Sequence, residues 1–306
     1  MTRSNLAGFA FLCAALGFAL SSPTASAQPA KNTQLNIGMV KTFFNDLPAA
    51  LVDLGGKIFT DSMKTVTGLQ GTLTTNEQAF DVAQKLDNGQ LQLGVFHGHE
   101  FAWVQKKYPQ LTPMVMAVNK HLDVRAYIIV HKNNPAKTLA DLRGKKIDVP
   151  MGTKQHCIVY LERNCTDNAQ PNPKAFFGSV VRASRNIVAL DDVAAGSTDA
   201  VLMDTIGLEF YKSIKGPVFE KNLRVLQHSD CFPSPVIAYK EGGIDNVMLT
   251  KIRDGLLKAH DNPAAEDILQ MWQIKAFEPI PQTYSKSLAD LLKTYPVPEA
   301  SKVTMR

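Results

Sequence analysis

Apolar segments of strand length alternate along this chain with amphipathic segments of helical period. The predicted strands are short and rich in β-branched or apolar residues, at 35–40, 69–74, 91–96, 111–118, 124–130, 145–149, 199–203, 223–227 and 236–240. The predicted helices carry apolar residues three and four positions apart, at 77–88, 154–163, 186–195, 247–260, 264–274 and 283–295. This alternation predicts an α/β fold of mixed sheets flanked by helices.

One arrangement occurs twice in the chain. In each copy a predicted helix ends at a glycine, a short apolar strand follows, and a polar residue stands at the end of that strand. Gly89 and His97 bound the first copy, and Gly196 and Asp204 bound the second at the same spacing. Chance similarity of two ordinary βαβ units is the competing interpretation. We expect two similar lobes that share a cleft, because open α/β sheets bind ligands outside the carboxyl ends of their strands.

The later segments indicate that the chain returns to its first lobe. Residues 223–227 and 236–240 are predicted as strands that cross back, and the C-terminal part is predicted to be helical. We therefore assign residues 33–122 and 228–306 to a discontinuous lobe I, and residues 123–227 to lobe II. Two crossovers between the lobes predict a hinge.

The N-terminus has the pattern of an export signal. Arg3 supplies a short basic region, residues 6–20 are apolar and uncharged, and Ala25-Ser26-Ala27 fits a small-x-small cleavage site. The apolar segment is shorter than the about 20 residues that a membrane-spanning helix needs. We expect residues 1–27 to be a signal peptide that is cleaved after Ala27. An uncleaved anchor is the alternative.

Composition narrows the range of partners. The chain has a formal net charge of +5 and stays mildly positive after the loss of Arg3, which favours anionic partners. Its basic residues do not form the dense patches of a nucleic-acid-binding protein, so we expect no nucleic acid partner.

The export signal permits one disulfide among the cysteines beyond the signal, Cys157, Cys165 and Cys231. On one helix Cys157 and Cys165 would be about 12 Å apart, too far for a bridge unless Cys165 lies beyond the helix end. Pairing of Cys157 with Cys231 and a set of free thiols both stay open.

Gly152, Thr153 and Lys154 follow a predicted strand and open a predicted helix. Free backbone N–H groups at a helix N-terminus favour an anion, Thr153 adds a hydroxyl, and Lys154 or His156 adds positive charge. The alternative is that Thr153 only caps the helix. The glycine spacing is looser than in a P-loop, so no nucleotide site is predicted.

His97 and His99 lie at the end of a predicted strand. Either their imidazoles contact an oxyanion or another organic solute, or both histidines are exposed on a loop. Together with Glu100, and with Asp204 from the other lobe, they also supply the donor types that suit Zn²⁺ or iron. Metal binding is therefore an alternative at this position.

Further polar and aromatic residues follow other predicted strands. Thr42 and Phe43 follow the first strand, where the aromatic ring would either wall a pocket or pack into the core. Thr75 and Asn76 follow the second strand and would cap the next helix or point into the cleft. Asp204 follows an apolar strand and would cap the helix that follows it.

Several motifs stand in an order and spacing that point to one family. They are Leu-Ala-Asp-Leu-Arg-Gly-Lys-Lys-Ile at 139–147, the two glycine repeats at 87–94 and 195–201, the return segments at 223–226 and 232–236, and the tail at 269–284. On these motifs, nearly all of the chain beyond the signal segment resembles the substrate-binding proteins of phosphate/phosphite/phosphonate-type ABC transporters. Gln92, where the family repeat has Asp, and the loop from Gly152 to His156, where the family has a serine-rich loop, depart from the pattern.

The resemblance implies a two-lobed type II periplasmic binding protein, with lobes related to those of transferrin. Such a protein would be periplasmic and monomeric and would need no cofactor. It would capture a small anionic, phosphonate- or phosphate-like solute between closing lobes and deliver it to the membrane permease of an ABC importer. The resemblance also implies that Asp204 would recognise a cationic group of the ligand, such as an amine. The candidate ligand-binding residues are Thr42, Phe43, Thr75, Asn76, His97, His99, Gly152, Thr153, Lys154, His156 and Asp204.

Other functions on the same fold stay open at this point. A receptor for a metal or another organic solute and a periplasmic sensory partner are the alternatives. An enzyme is not expected, because the adjacent His156 and Cys157 would point apart on a helix and make a poor catalytic dyad.

Overall fold

The computed structural model describes residues 34–119, 124–167 and 170–298. The predicted signal peptide, residues 1–27, lies outside these described residues. Among the helices within them, none is both long enough and apolar enough to cross a membrane.

The strands and helices of the described residues alternate, as predicted. In chain order the strands are β1 (Gln34–Val40), β2 (Gln70–Glu77), β3 (Leu93–Phe96), β4 (Leu111–Asn119), β5 (Ala126–His131), β6 (Lys146–Asp148), β7 (Thr166–Asp167), β8 (Gln170–Pro171), β9 (Ser179–Val181), β10 (Ala200–Asp204), β11 (Leu223–His228), β12 (Val236–Lys240) and β13 (Ile274–Pro279). The α-helices are α1 (Ala49–Thr67), α2 (Ala79–Asp87), α3 (Gly98–Lys107), α4 (Gln155–Asn164), α5 (Pro173–Phe176), α6 (Asn186–Ala194), α7 (Thr205–Asn222), α8 (Asn246–Leu257), α9 (Glu266–Met271) and α10 (Tyr284–Thr294). Short 3-10 helices cover Lys41–Phe44, Leu139–Leu142, Ala259–Asp261 and Pro263–Ala265.

The strands form two mixed sheets, one in each lobe. The sheet of lobe I has the order β13-β4-β12-β3-β1-β2, with β1 parallel to β2 and β3 and the remaining pairs antiparallel. The sheet of lobe II has the order β11-β5-β10-β6-β9, in which β6 is parallel to β10 and β9, and β5 is antiparallel to β10 and β11. β7 and β8 form a separate two-stranded ribbon.

Helices cover both faces of the lobe I sheet. Successive side chains of a strand point to opposite faces, so Ile37 and Met39 pack with residues of α1, α8 and α9, whereas Val40 packs with residues of α2, α3 and α10. In lobe II, α6 and α7 pack on one face of the sheet and α4 on the other. Burial of one such aliphatic side chain contributes about 1.5–3 kcal/mol, so both layers hold the strand ends in place.

The two copies of the predicted repeat are built alike. Gly89 and Gly196 have left-handed backbones, with φ of 80° and 75°, which a residue without Cβ adopts readily just after a helix. His97 and Asp204 then stand at the N-cap positions of α3 and α7. The repeat therefore places one polar side chain of each lobe where a strand ends and a helix begins.

The repeat also explains why Gln92 is tolerated in place of Asp. Gln92 N–H donates to the Asn36 carbonyl at 2.9 Å, and Gln92 Oε1 accepts from Asn36 N–H at 2.9 Å. In lobe II, Asp199 N–H donates to the Lys146 carbonyl at 3.1 Å, and Asp199 Oδ2 accepts from Lys146 N–H at 2.8 Å. Gln92 thus makes the same pair of bonds with a longer side chain.

Two chain segments connect the lobes and pair with each other. The chain passes from lobe I to lobe II between β4 and β5, and it returns between β11 and β12. Val124 and Phe232 form an antiparallel bridge, in which Phe232 N–H donates to the Val124 carbonyl at 2.8 Å. Ser229 N–H donates to the Ala126 carbonyl at 2.9 Å, and Ser229 Oγ accepts from Ala126 N–H at 3.0 Å. The connection is therefore a short two-stranded hinge.

The prediction of a helix over residues 264–274 is wrong at its last three residues. α9 ends at Met271, and the chain continues as β13 at the edge of the lobe I sheet. Gln273 adopts a left-handed φ of 55°, which stops the helical turn, and Ile274 then pairs with Asn119 of β4. The pairing partner lies far away in sequence, so local periodicity carried no sign of it.

Cys157 and Cys165 are both buried, and no disulfide joins them to each other in the part of the chain that the structure describes. Cys165 stands at the C-cap position of α4, just beyond the last helical residue.

Candidate functional site

The carboxyl ends of strands from both lobes face one cavity. Residues that follow β1 and β3 line it from lobe I, and residues at or after the ends of β6 and β10 line it from lobe II. The hinge residues Val124 and Phe232 line it as well. Its volume of about 380 Å³ lies within the range of roughly 300–1,000 Å³ that is typical of small-molecule sites.

Most of the predicted ligand-binding residues line this cavity together. From lobe I and lobe II these are Thr42, Phe43, His97, His99, Gly152, Thr153, Lys154, His156 and Asp204. The fold therefore brings residues that are far apart in sequence to one place.

Thr75 and Asn76 are the predicted residues that do not line the cavity. The expectation that they follow the second strand is wrong, because β2 extends to Glu77 at the edge of the sheet. They do not cap the next helix either, since Gln78 caps α2 and forms a capping box with Asp81. Thr and Asn favour turns in isolation, but their neighbours Thr74 and Glu77 pair with Gly38 and Val40 of β1, so Thr75 and Asn76 lie within the strand at an irregularity of the register.

Aromatic rings stack along the cavity. Phe43 stacks on His97 with ring centroids 3.8 Å apart, and His97 stacks on His99 at 5.5 Å. Phe232 of the hinge contacts His99 at 5.9 Å and His156 of lobe II at 5.4 Å. The contacts of Phe232 are edge-on or tilted, and together with the stacked rings they connect the three imidazoles from lobe I through the hinge to lobe II.

His97 and His99 are buried and uncharged near neutral pH. Loss of hydration, together with the nearby His156 and Lys154, lowers the pKa of His97 to about 3, although a hydrogen bond with the Thr42 main chain opposes the shift. Loss of hydration also holds the pKa of His99 well below its usual value.

The Nε2 atoms of His97 and His99 have no hydrogen-bond partner among the described residues. Buried polar atoms normally have one, and a buried atom without a partner costs about 1–3 kcal/mol. Both residues are more than nine-tenths buried, with 8% and 1% of their surface exposed. A ligand group that bonds to these nitrogens would offset that cost.

Glu100 is a buried acid beside the histidines. Loss of hydration raises its pKa to about 7, while hydrogen bonds with the Thr42 side chain and the His97 main chain oppose the rise. Thr42 Oγ1 lies 2.9 and 3.0 Å from the two carboxyl oxygens of Glu100. Thr42 therefore uses its hydroxyl to hold Glu100, which in turn accepts from the N–H of His97 at the start of α3.

The loop after β6 is a turn that precedes α4. α4 begins at Gln155, with Lys154 at the N-cap position and without a side-chain cap, so the prediction that Thr153 caps this helix is wrong. The Thr153 hydroxyl donates instead to the Pro150 carbonyl at 2.6 Å. Lys154 is exposed and lines the cavity, so it contributes positive charge there.

His156 and Asp204 each use a polar atom within lobe II. Asp204 Oδ1 accepts from Gly207 N–H at 2.8 Å and caps α7, which is the capping role considered from the sequence. His156 Nε2 lies 3.3 Å from the Arg125 carbonyl. Loss of hydration lowers the pKa of His156, and the charge of Asp204 opposes this shift.

Side chains that the sequence reasoning missed join the lobes across the cleft. Asp46 of lobe I accepts from Gly152 N–H at 2.9 Å and forms an ion pair with Arg182 of lobe II. Asn45 Nδ2 donates to Gln155 Oε1 at 2.8 Å. We call these bonds the cross-lobe contacts. Their partners are more than 100 residues apart, so no local pattern announces them.

The metal alternative finds no converging donor set in the described residues. Within them, no group of three or more His, Cys, Asp and Glu side chains is placed to hold one ion. The rings of His97 and His99 are almost parallel, at 17°, whereas the ligands of a metal converge on it.

Two lobes, a paired hinge and a cavity at the strand ends define a two-lobed periplasmic binding protein of type II. The family model described as "ABC transporter, phosphonate, periplasmic substrate-binding protein" matches residues 54–284. The match covers more than half of the chain, and the chain belongs to this family. The predicted resemblance is confirmed, and with it the expectation of a substrate-binding component of an ABC transporter rather than an enzyme.

Solved structures of low sequence identity share the fold. A Xanthomonas citri protein bound to ATP has a TM-score of 0.57 at 17% identity and covers 86% of this chain and 97% of its own. A binding protein component of an ABC phosphonate transporter from Pseudomonas aeruginosa has a TM-score of 0.55 at 15% identity, with coverage of 88% and 91%.

A Prochlorococcus marinus protein in complex with methylphosphonate has a TM-score of 0.55 at 12% identity and covers 87% of this chain and 99% of its own. No curated protein sequence matches the chain. The structural likenesses confirm the predicted two-lobed α/β fold. The family match adds that the protein is periplasmic and works with the membrane permease of an ABC transporter.

Proposed function

We propose that the protein captures a small organic anion with a phosphonate-like head group between its lobes. The observation that carries the proposal is the pair of buried Nε2 atoms of His97 and His99, which have no partner among the described residues and lie in a cavity that Lys154 also lines. Of the nearby acids, Glu100 retains its proton up to about pH 7, and Asp204 directs one carboxylate oxygen to the Gly207 N–H at the start of α7.

His97 can receive the head group through a shared proton. Because Nε2 has no partner in the described chain, the hydrogen bond with the Thr42 main chain belongs to Nδ1, which leaves Nε2 of the neutral ring as an acceptor. A phosphonate that keeps one P–OH donates to this atom, and a fully ionised phosphonate binds when His97 takes up a proton. In both cases the complex holds one proton more than the free protein and the dianion.

Closure of the lobes retains the solute. A solute that contacts both lobes stabilises the closed arrangement by its greater affinity for that state. The cross-lobe contacts favour the same arrangement, but the ion pair of Asp46 with Arg182 is partly exposed and such pairs contribute about 0–1 kcal/mol. The solute therefore supplies much of the free energy of closure.

We also infer how the protein reaches its place of action. The small residues Ala25-Ser26-Ala27 support cleavage after Ala27. Residues of a single chain line the cavity on both lobes, which supports a monomer that hands its solute directly to the permease.

Intrinsic fluorescence gives a direct test of solute binding. Both tryptophans of the chain adjoin the site, since Trp272 lines the cavity and Trp103 contacts His99 edge-on at 5.0 Å. Methylphosphonate is expected to change the emission and to saturate one site. His97→Ala is expected to weaken binding by about 10-fold, the factor that corresponds to one lost hydrogen bond to a charged group.

The matched control is His260→Ala, because His260 is exposed and does not line the cavity. This variant is expected to bind as the unaltered protein does. Equal affinity of the His97→Ala and His260→Ala variants contradicts the proposed site. Absence of saturable binding to any phosphonate, phosphate or sulfonate contradicts the proposed function.

A further inference from the structure

The cavity continues beyond the histidines into lobe I. α1 contributes a stripe of residues to its lining, among them Leu51, Gly55, Phe59 and Met63. Their four-residue spacing places them on one face of the helix. We call the space beside this stripe the apolar chamber.

The opposite wall of the apolar chamber is also apolar. It is formed by residues of α8, α9, β13 and the intervening turns, namely Leu256, Ala259, Ala265, Leu269, Trp272 and Phe277. A small polar ion makes no use of such walls, because an apolar cavity offers neither the ion nor water the hydrogen bonds it needs. The chamber therefore fits an apolar part of a ligand.

The chamber interrupts what is otherwise a packed core. Protein interiors contain few voids larger than a water molecule, and the neighbouring residues Leu35, Ile37 and Ile252 are fully buried. Gly55 is buried within α1 and adds no side chain to the space, although glycine is a weak helix former. Helix propensity alone would therefore favour another residue at this position.

Two observations connect the chamber to a ligand. The Nε1 atom of Trp272 is buried and has no hydrogen-bond partner among the described residues. Phe43 meets Trp272 edge-on at 6.0 Å and stacks on His97 at 3.8 Å. One ring thus contacts both the imidazole of His97 and the indole of Trp272, and both side chains line the same cavity.

We propose that the solute is amphiphilic, with an acidic head group at His97 and Lys154 and an alkyl or aryl group in the apolar chamber. The Trp272 indole N–H donates to an acceptor atom that such a solute carries next to its apolar group. This inference rests on the proposed function of the cleft and names the class of its substrate.

A series of alkylphosphonates tests the chamber separately from the head-group site. Titration calorimetry with methyl-, butyl- and hexylphosphonate is expected to show affinity rising by up to about 4-fold per methylene, the factor that corresponds to about 0.8 kcal/mol per buried CH₂. Binding of methylphosphonate with equal or weaker binding of the longer acids overturns the chamber and leaves the proposed function intact. Failure of all three acids to bind overturns both.

Gly55→Leu places a side chain in the chamber. It is expected to remove the dependence on chain length and to keep the affinity for methylphosphonate within about 2-fold, a change too small to represent a lost contact. The matched control is Gly56→Ala, since a Cβ at Gly56 would meet Leu73 at an ordinary distance of 3.7 Å. A Gly55→Leu protein that folds and still prefers hexylphosphonate overturns the inference.

A second pair of variants avoids the buried core in case Gly55→Leu does not fold. Leu51 and Leu54 of α1 are similarly exposed, at 52% and 53%, but only Leu51 lines the cavity. Leu51→Gln is expected to weaken hexylphosphonate binding by about 5-fold, as expected for loss of roughly one apolar contact, and Leu54→Gln is expected to leave it unchanged. Equal effects of the two substitutions overturn the inference.

Discussion

Glu100 links the chemistry of the cleft to the stability of the fold. Its pKa rises from 4.5 to about 7 because the carboxyl is buried and poorly hydrated. In the unfolded chain the same group ionises near its ordinary value. Between these two values the folded state binds more protons than the unfolded state, so this contribution to stability is complete below about pH 4.5 and is lost as the pH rises through about 7.

The size of the effect follows from the shift. One pKa unit corresponds to about 1.4 kcal/mol, so a rise from 4.5 to about 7 corresponds to roughly 3 kcal/mol. Glu100→Gln removes the titration and keeps an acceptor for Thr42 and for the His97 N–H. We expect the variant to match the unaltered protein near pH 4.5 and to exceed its stability by up to about 3 kcal/mol near pH 8.

The titration of His97 changes the stability with pH in the opposite direction, but it does not affect the comparison of the Glu100→Gln variant with the unaltered protein. Its pKa is lowered from 6.5 to about 3, so its contribution is complete above 6.5 and is lost as the pH falls toward 3. Both proteins contain His97, so this term largely cancels in their difference. The Glu100 difference then reaches roughly 6–12 °C in Tm near pH 8 for a domain of this size.

Thermal and urea unfolding, followed by circular dichroism across this pH range, measures the difference. Glu241→Gln is the matched control, because Glu241 is exposed in the turn after β12 and should give the pH profile of the unaltered protein. A constant offset between Glu100→Gln and the unaltered protein at every pH refutes the reasoning, since it shows that Glu100 does not titrate differently on folding.

Three further predictions concern closure, the repeat and the shared proton. Asp46→Ala is expected to weaken methylphosphonate binding by about 5- to 30-fold in the fluorescence titration, because it removes about 1–2 kcal/mol of stabilisation from the closed state. Asp46→Asn keeps an acceptor for the Gly152 N–H and should lose less affinity. Equal losses of affinity in the two variants contradict the role given to Asp46. Gln92→Leu is expected to lower the free energy of unfolding by about 1–3 kcal/mol, because the Asn36 N–H loses its acceptor, whereas Gln92→Asp should lose less. Calorimetry in buffers of different ionisation enthalpy, at a pH at which the free phosphonate is a dianion, should detect uptake of about one proton per phosphonate by the Glu100→Gln protein, in which Glu100 cannot supply the uptake. Zero uptake contradicts the role given to His97.

The features of this fold that could be predicted depend on local chemistry. The residues of β1 and α2 that face the core are apolar and recur at the spacing of a strand and of a helix, and this periodicity is visible in the sequence. Gly89 and Gly196 indicate the ends of helices, because the residue after a helix often has a left-handed backbone, which favours glycine. His97 and Asp204 each follow an apolar strand in the repeat, and this position predicted that both would lie at the cavity.

The features that escaped prediction depend on pairing between distant segments. β13 forms because Ile274 and the residues after it pair with β4, and nothing in the local sequence distinguishes that segment from a helix end. Thr75 and Asn76 stay within β2 because their neighbours Thr74 and Glu77 pair with β1.

The site itself was predicted in part. Strand-end positions led to the histidines, but the apolar chamber needs α1 and α9 to pack together on one face of the sheet, and the cross-lobe contacts need Asp46 to meet Arg182. Trp272 falls in a segment predicted as helix, where an apolar residue is ordinarily part of the core. Its unpartnered indole nitrogen is visible only in the packed fold.

Native mass spectrometry of the protein purified from the periplasm tests the central claim most directly. The account predicts a 1:1 complex with an acidic organic solute, which is released on unfolding and displaced by a long-chain alkylphosphonate. The Lys154→Ala protein should retain less of that solute than a protein altered at the exposed residue Lys258. A mass that reports only the free protein and does not change when phosphonates are added, or one bound metal ion in place of the solute, would contradict the account.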